Sequence, residues 1–243
     1  MEQYEFRPFN MGGLEAICEK ILSNPTLNKY FVSNSWDDLA VSWEGMFLHQ
    51  AYHYLKSIDW EEYDERLNSV LYSCLETQTM QYEWMIYSLL HGQYELVLRE
   101  LRNIVESAFL FYRMDYYEEY RKKSGEEKFN ELKGLIEKEF GRKVFEQSGY
   151  ADWEKVYKDL YRPLCEYTHT KISLVRNETI YPYYNGMLEP TYDEKKVVEC
   201  MYYLQQTMAL EVDMMCSILE HSYGIDDTRA LRGIFDNVII PKP

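Results

Sequence analysis

At 243 residues the chain is long enough for one large domain, and no Pro/Gly/Ser-rich linker divides it. Its 41 acidic side chains against 26 basic ones give a formal charge of −15, which disfavours a generic nucleic-acid binder that displaces phosphate counterions with Lys and Arg. The five cysteines are odd in number and form no C-x-x-C, so neither a disulfide framework nor a thiolate zinc site is indicated. Reduced, mostly buried thiols are expected.

The N-terminal stretch MEQYEFRPFN lacks a basic region followed by an apolar one, so no secretory signal is visible. No apolar run approaches the ~20 residues that span a bilayer. A cytoplasmic protein without membrane attachment is the expectation. Tyrosine, with 24 copies, dominates the aromatics and predicts a core of ring contacts with hydroxyls reaching its edge.

No proline occurs between Pro25 and Pro163 and glycine is sparse, which favours long helices. The pattern predicts a short helix near 13–23, long ones near 36–57, 60–90, 93–121, 126–140, 152–171 and 193–222, and a last short one near 227–235. Ser35/Asp38, Asp59/Glu62, Ser124/Glu127 and Thr191/Glu194 have the spacing of N-terminal caps. Gly92 punctuates 60–90 and 93–121 and predicts an antiparallel hairpin. The Lys122–Gly125 stretch reads as an exposed loop. Residues 175–192, with Pro182, Asn185-Gly186 and Pro190, form the one long irregular segment. No sustained alternation predicts a major sheet.

Helix 93–121 is apolar almost all round and should be central. Glu95, Arg99, Arg102, Glu106 and Arg113 nevertheless align in a narrow stripe. It reads either as a solvated strip or as an internal polar pocket in which Arg102 and Glu106 pair and face another helix. Buried charges require such pairing.

The segment Arg162-Pro-Leu-Cys-Glu-Tyr-Thr-His169 holds the arginine–histidine pair best placed for chemistry. On a continuous helix, residues seven apart lie nearly on one face. Pro163 predicts a kink and moves Arg162 away from the α region. His169 reads either as a titratable group facing solvent beside Arg162 or as a core histidine bonded by a tyrosine or carboxylate. Glu166 and His169 form a single E-x-x-H, and His49 and His53 stand four apart. A di-iron bundle needs two E-x-x-H copies and two further glutamates, so no metal and no cofactor is expected.

An arginine followed within a few residues by a histidine, late in an all-helical chain, resembles the HEPN superfamily (higher eukaryotes and prokaryotes nucleotide-binding). The likeness covers roughly residues 36–222, and only Arg162–His169 is motif-like. Arg102-x-x-x-Glu106 resembles more loosely an R-x-x-x-E element in helical prokaryotic families. The resemblance implies metal-independent RNA cleavage, with His169 as general acid/base on the ribose 2′-hydroxyl and Arg162 stabilising charge on the phosphate. It also implies a site formed across a homodimer, with Arg99, Arg102, Glu106 and Glu166 in support.

The whole expectation is one all-α domain over 1–243, a HEPN-like bundle of long antiparallel helices that binds RNA or nucleotide phosphate. The alternative from another class is a non-catalytic helical interaction module, as a dimer, recognisable by an exposed apolar patch.

Overall fold

The computed structural model of the protein describes residues 69–90, 92–167, 183–184, 187–188, 193–225 and 228. The predicted helices near 13–23, 36–57 and 227–235 lie outside the described residues, as do His49, His53 and His169. So do residues 60–68 of the predicted helix 60–90. What is described is all-α, apart from one two-residue antiparallel ladder pairing β1 (Tyr183–Tyr184) with β2 (Met187–Leu188). The two strands flank Asn185-Gly186, the dipeptide favoured at tight hairpins. Among the described residues no helix is long and apolar enough to cross a membrane.

Helix α1 (Val70–Leu90) starts at Ser69, whose Oγ accepts the Tyr72 N–H at 3.1 Å. It ends at Gly92, with φ of 72°. There the N–H groups of Gly92 and Gln93 return to the carbonyls of Leu89 and Ser88, a Schellman closure that needs the left-handed residue. Helix α2 (Tyr94–Tyr116) then runs back. Its last turn meets the start of α1, because Asp115 accepts the N–H groups of Val70 and Leu71 at 3.0 and 2.9 Å. The predicted antiparallel hairpin is therefore present.

The predicted helix 93–121 is not continuous. Tyr117 is extended, with ψ of 127°, and separates α2 from the single turn α3 (Glu118–Arg121). At this break the Asp115 carbonyl is taken by Ser222 Oγ at 3.0 Å. Helix α4 (Gly125–Lys138) opens on the expected capping box: Ser124 accepts the Glu127 N–H, and Glu127 Oε2 accepts the Ser124 N–H at 2.9 Å. A short helix absent from the expectations follows, α5 (Arg142–Glu146), entered through Gly141 at φ of 61°.

The next helix runs through α6 (Trp153–Val156), a π-helical turn (Tyr157–Tyr161) and α7 (Arg162–Cys165). The expected displacement of Arg162 from the α region is corrected here. Its φ and ψ are −62° and −43°, and its N–H reaches back five residues to the Tyr157 carbonyl. The widened turn gives the Pro163 ring room that an ordinary α turn denies it. The helix expected to reach 171 ends at Cys165. Glu166 and Tyr167 close it with bonds to the carbonyls three residues back.

The last helix, α8 (Glu194–Tyr223), is capped by Asp193, which accepts the N–H groups of Lys195 and Lys196. The expected cap at Thr191 thus belongs two residues later. Gly224, at φ of 66°, ends α8.

Helix α2 is central: residues from Tyr94 to Asp115 on most of its circumference are buried. It packs against α1 antiparallel and against α8 parallel. Tyr94 Oη meets the Asp193 N–H at one end of α2, and Tyr112 meets Ser217 near the other. The long helices are thus not all antiparallel neighbours.

The core holds ionisable groups as well as rings. Asp115 and Lys128 are both buried and lie 3.6 Å apart. Glu211 of α8 is also buried, accepting Tyr82 Oη at 2.8 Å. Cys200 and Cys216 are buried, Cys74 and Cys165 half-buried, and none of these four is in a disulfide. Burial, with Asp115 and Glu211 nearby, pushes the Cys74 thiol up to about 11, so it stays protonated.

Candidate functional site

The stripe on α2 faces protein, not solvent, along its middle and lower parts. Arg102 Nη2 lies 2.7 Å from Glu106 Oε2 and donates to Tyr161 Oη at the same distance. Tyr161 Oη donates onward to Glu106 Oε1 at 3.1 Å, and the Gly141 N–H reaches that oxygen at 2.6 Å. The Arg102 guanidinium also sits 5.2 Å from the centre of the Tyr161 ring. Of the two readings, the internal polar pocket is the one realised.

The cause lies on the neighbouring helix. The π-helical turn aims Tyr161 inward, where its ring packs on Phe145 with centroids 4.6 Å apart. Burial opposes the Arg102 charge. Glu106, Tyr161 and Cys165 outweigh that opposition and hold its pKa above the ordinary arginine value. Burial and the Glu106 carboxylate push the Tyr161 phenol well up. The three side chains form one hydrogen-bonded group around a neutral phenol, and it reaches outward through Arg102 Nη1 to Asn103 Oδ1 at 3.0 Å and through Glu106 Oε1 to the Gly141 N–H.

Arg113, lower on the stripe, holds Glu139 at 2.8 Å and Gln147 at 3.2 Å, tying α4 and the end of α5 to α2. Arg99, at the upper end, is exposed, and its Nε donates to the Tyr167 carbonyl at 3.0 Å. That contact fastens the chain to α2 two residues before His169.

Arg162 and Glu166 are exposed, while Tyr161 and Leu164 of the same helix are buried. The structure therefore brings Arg102 and Glu106 together and places Arg162 and Glu166 on another face. The α-helix that carries Arg162 ends at Cys165. His169 itself lies outside the described residues. Among the described residues no group of three or more His, Cys, Asp or Glu is arranged to hold a metal.

A second surface was missed by the sequence reading. Helix α4 buries Leu132 and Lys128 on one side. On another it exposes Phe129 and Ile136, at 66% and 56%, and Phe140, 76% exposed, follows just beyond its end after the extended Glu139. The spacing of seven residues puts Phe129 and Ile136 on one stripe. The stripe was legible as periodicity, but α4 carries two apolar stripes, and only tertiary packing decides which one is covered.

Comparison with protein-family models, with curated proteins and with solved structures finds no match to this chain.

Proposed function

We propose that the chain is a non-catalytic helical interaction module that pairs with a second copy of itself through α4. The observation that carries this reading is the exposed Phe129 and Ile136 of α4, with Phe140 just beyond its end. Each of these large apolar side chains is more than half open to water, the kind of exposure that marks association surfaces. A second copy is the occupant proposed, because a two-fold axis sets the exposed apolar side chains of one chain against the same ones of the other, and each copy then covers the other's open surface.

The test is light scattering on the full chain at micromolar concentration. The parent should have the mass of a dimer. Phe140→Asp with Ile136→Glu should give a monomer with unchanged helical circular dichroism, because both side chains already face water. A monomeric parent, or a dimer that survives both changes, defeats the reading.

A second reading is recognition or cleavage of RNA phosphate through Arg162 and His169. What supports it is an exposed Arg162 together with Arg99 fastened to the Tyr167 carbonyl, next to the segment that leads to His169. Under this reading the chain cleaves a single-stranded RNA oligonucleotide in EDTA, and His169→Ala abolishes cleavage while the helical content stays. A parent without cleavage under those conditions removes it and leaves the dimer test untouched.

A further inference from the structure

A cleft of about 250 Å³ opens between the lower end of α2, the loop before α6 and the last turns of α8. Its walls are aromatic. Tyr112 and Tyr116 stack with centroids 5.2 Å apart, and His221 stacks on Tyr116 at 4.3 Å. Tyr150 stands edge-on to Tyr112 at 5.3 Å.

The loop is shaped to this wall. Gly149 sits at φ of +84°, and a Cβ there would lie 2.8 Å from Tyr116 Cδ1. Both the backbone conformation and the close approach to the ring require glycine. Two phenols are fixed by hydrogen bonds, Tyr112 with Ser217 at 2.9 Å and Tyr150 donating to Asp213 at 2.5 Å.

Apart from the His221 ring, the cleft's charge-bearing side chains are acidic. Burial pushes Tyr112 up to about 12 and Tyr150 higher still, so both stay neutral phenols. The other acidic side chains on the walls are Asp152, Asp213 and Glu220, and no lysine or arginine lines the space. An anion is repelled, and the overall charge of −15 adds to the repulsion.

A small hard metal ion is poorly served. It needs several oxygens converging at about 2.0–2.6 Å, whereas Asp213 and Glu220 are already engaged by Tyr150 and Thr228. A diffuse organic charge needs no such convergence. It gains from ring quadrupoles and from carboxylates set at a distance. The volume limits the ligand to a compact one.

We propose that this cleft binds a compact organic cation with an ammonium or guanidinium head, held by the Tyr116–His221 wall and by Asp152, Asp213 and Glu220. The proposal is independent of α4 and of Arg162.

The probes are tetramethylammonium and methylguanidinium chlorides, titrated into the full chain at constant ionic strength against potassium chloride. The readout is the NMR signal of the His221 ring. At least one organic cation should shift that signal saturably while potassium does not. Asp213→Asn combined with Glu220→Gln keeps the side-chain shapes and should weaken binding at least tenfold, with circular dichroism unchanged as the check on folding. Equal shifts with potassium, no saturable shift with either probe, or an affinity within twofold of the parent in the folded double variant overturns the proposal.

Discussion

Replacing Asp115 with alanine should cost about 3–5 kcal/mol of stability, a large share of the ~5–15 kcal/mol that holds a domain together. Asp115 is fully buried at the end of α2, and its carboxylate does three things at once. It accepts the N–H groups of Val70 and Leu71, which open α1 and have no partner within that helix. It accepts Ser69 Oγ at 2.9 Å, fixing the residue that caps the same turn. It also lies 3.6 Å from the buried Lys128, the charge partner contributed by α4. Burial pushes the Asp115 carboxyl above its usual range, while the Leu71 N–H, Lys128, the Val70 N–H and Ser69 oppose that push. Alanine leaves the Lys128 ammonium in the core without this carboxylate and strips the start of α1 of its acceptor. Urea unfolding followed by circular dichroism measures the loss. A change below about 1 kcal/mol would mean that water or rearranged groups replace the carboxylate, and that the junction of α1, α2 and α4 does not depend on it.

Glu211→Gln should remove most of the pH dependence of stability between about pH 5 and 8. Glu211 is fully buried on α8, and burial raises its pKa to about 8. Against burial stands the hydrogen bond from Tyr82. The unfolded chain releases this proton near the ordinary value of 4.5, whereas the folded chain keeps it until about 8. Between those values the native state binds more protons, so stability falls as pH rises, by up to roughly 1.4 kcal/mol per unit. The contribution is fully present below about 4.5 and gone above about 8, a total on the order of 4–5 kcal/mol. Glutamine leaves Tyr82 an acceptor and carries no charge. The variant should match the parent at pH 4.5 and exceed it by several kcal/mol at pH 8.5. Urea midpoints taken across that range decide it, and parallel curves for the two proteins would refute the assignment.

Helical class was legible because its signals are local. A chain without proline from 26 to 162 favours helices, and the Ser124/Glu127 cap needs only residues three apart. The central place of α2 followed from apolar side chains on all its faces. What failed depended on partners distant in sequence. The Arg102–Glu106 pair could be seen as a pair, but Tyr161, which closes it, stands 55 residues from Glu106. Pro163 marked a disturbance without revealing its form, because a π-helical turn absorbs the ring and leaves Arg162 helical. The α-helix that carries Arg162 ends at Cys165, and His169 lies outside the described residues. Asp115, Lys128 and Glu211 raised no expectation in the sequence, since nothing local marks a charged side chain as buried.

The parallel run of α2 and α8 also governs the order in which the protein can assemble. Contacts that join this pair link residues 99 to 107 apart, while α1 and α2 are joined by a tight glycine turn. Closing the larger loop costs more chain entropy, so the hairpin has the kinetic advantage. On the ribosome, α1 and α2 emerge together long before the 30 residues of α8. Until α8 arrives, the nascent hairpin shows water the apolar side of α2 that α8 later covers. This places the greatest hazard of misassociation, and the greatest need for a chaperone, in the interval between synthesis of the second helix and the last.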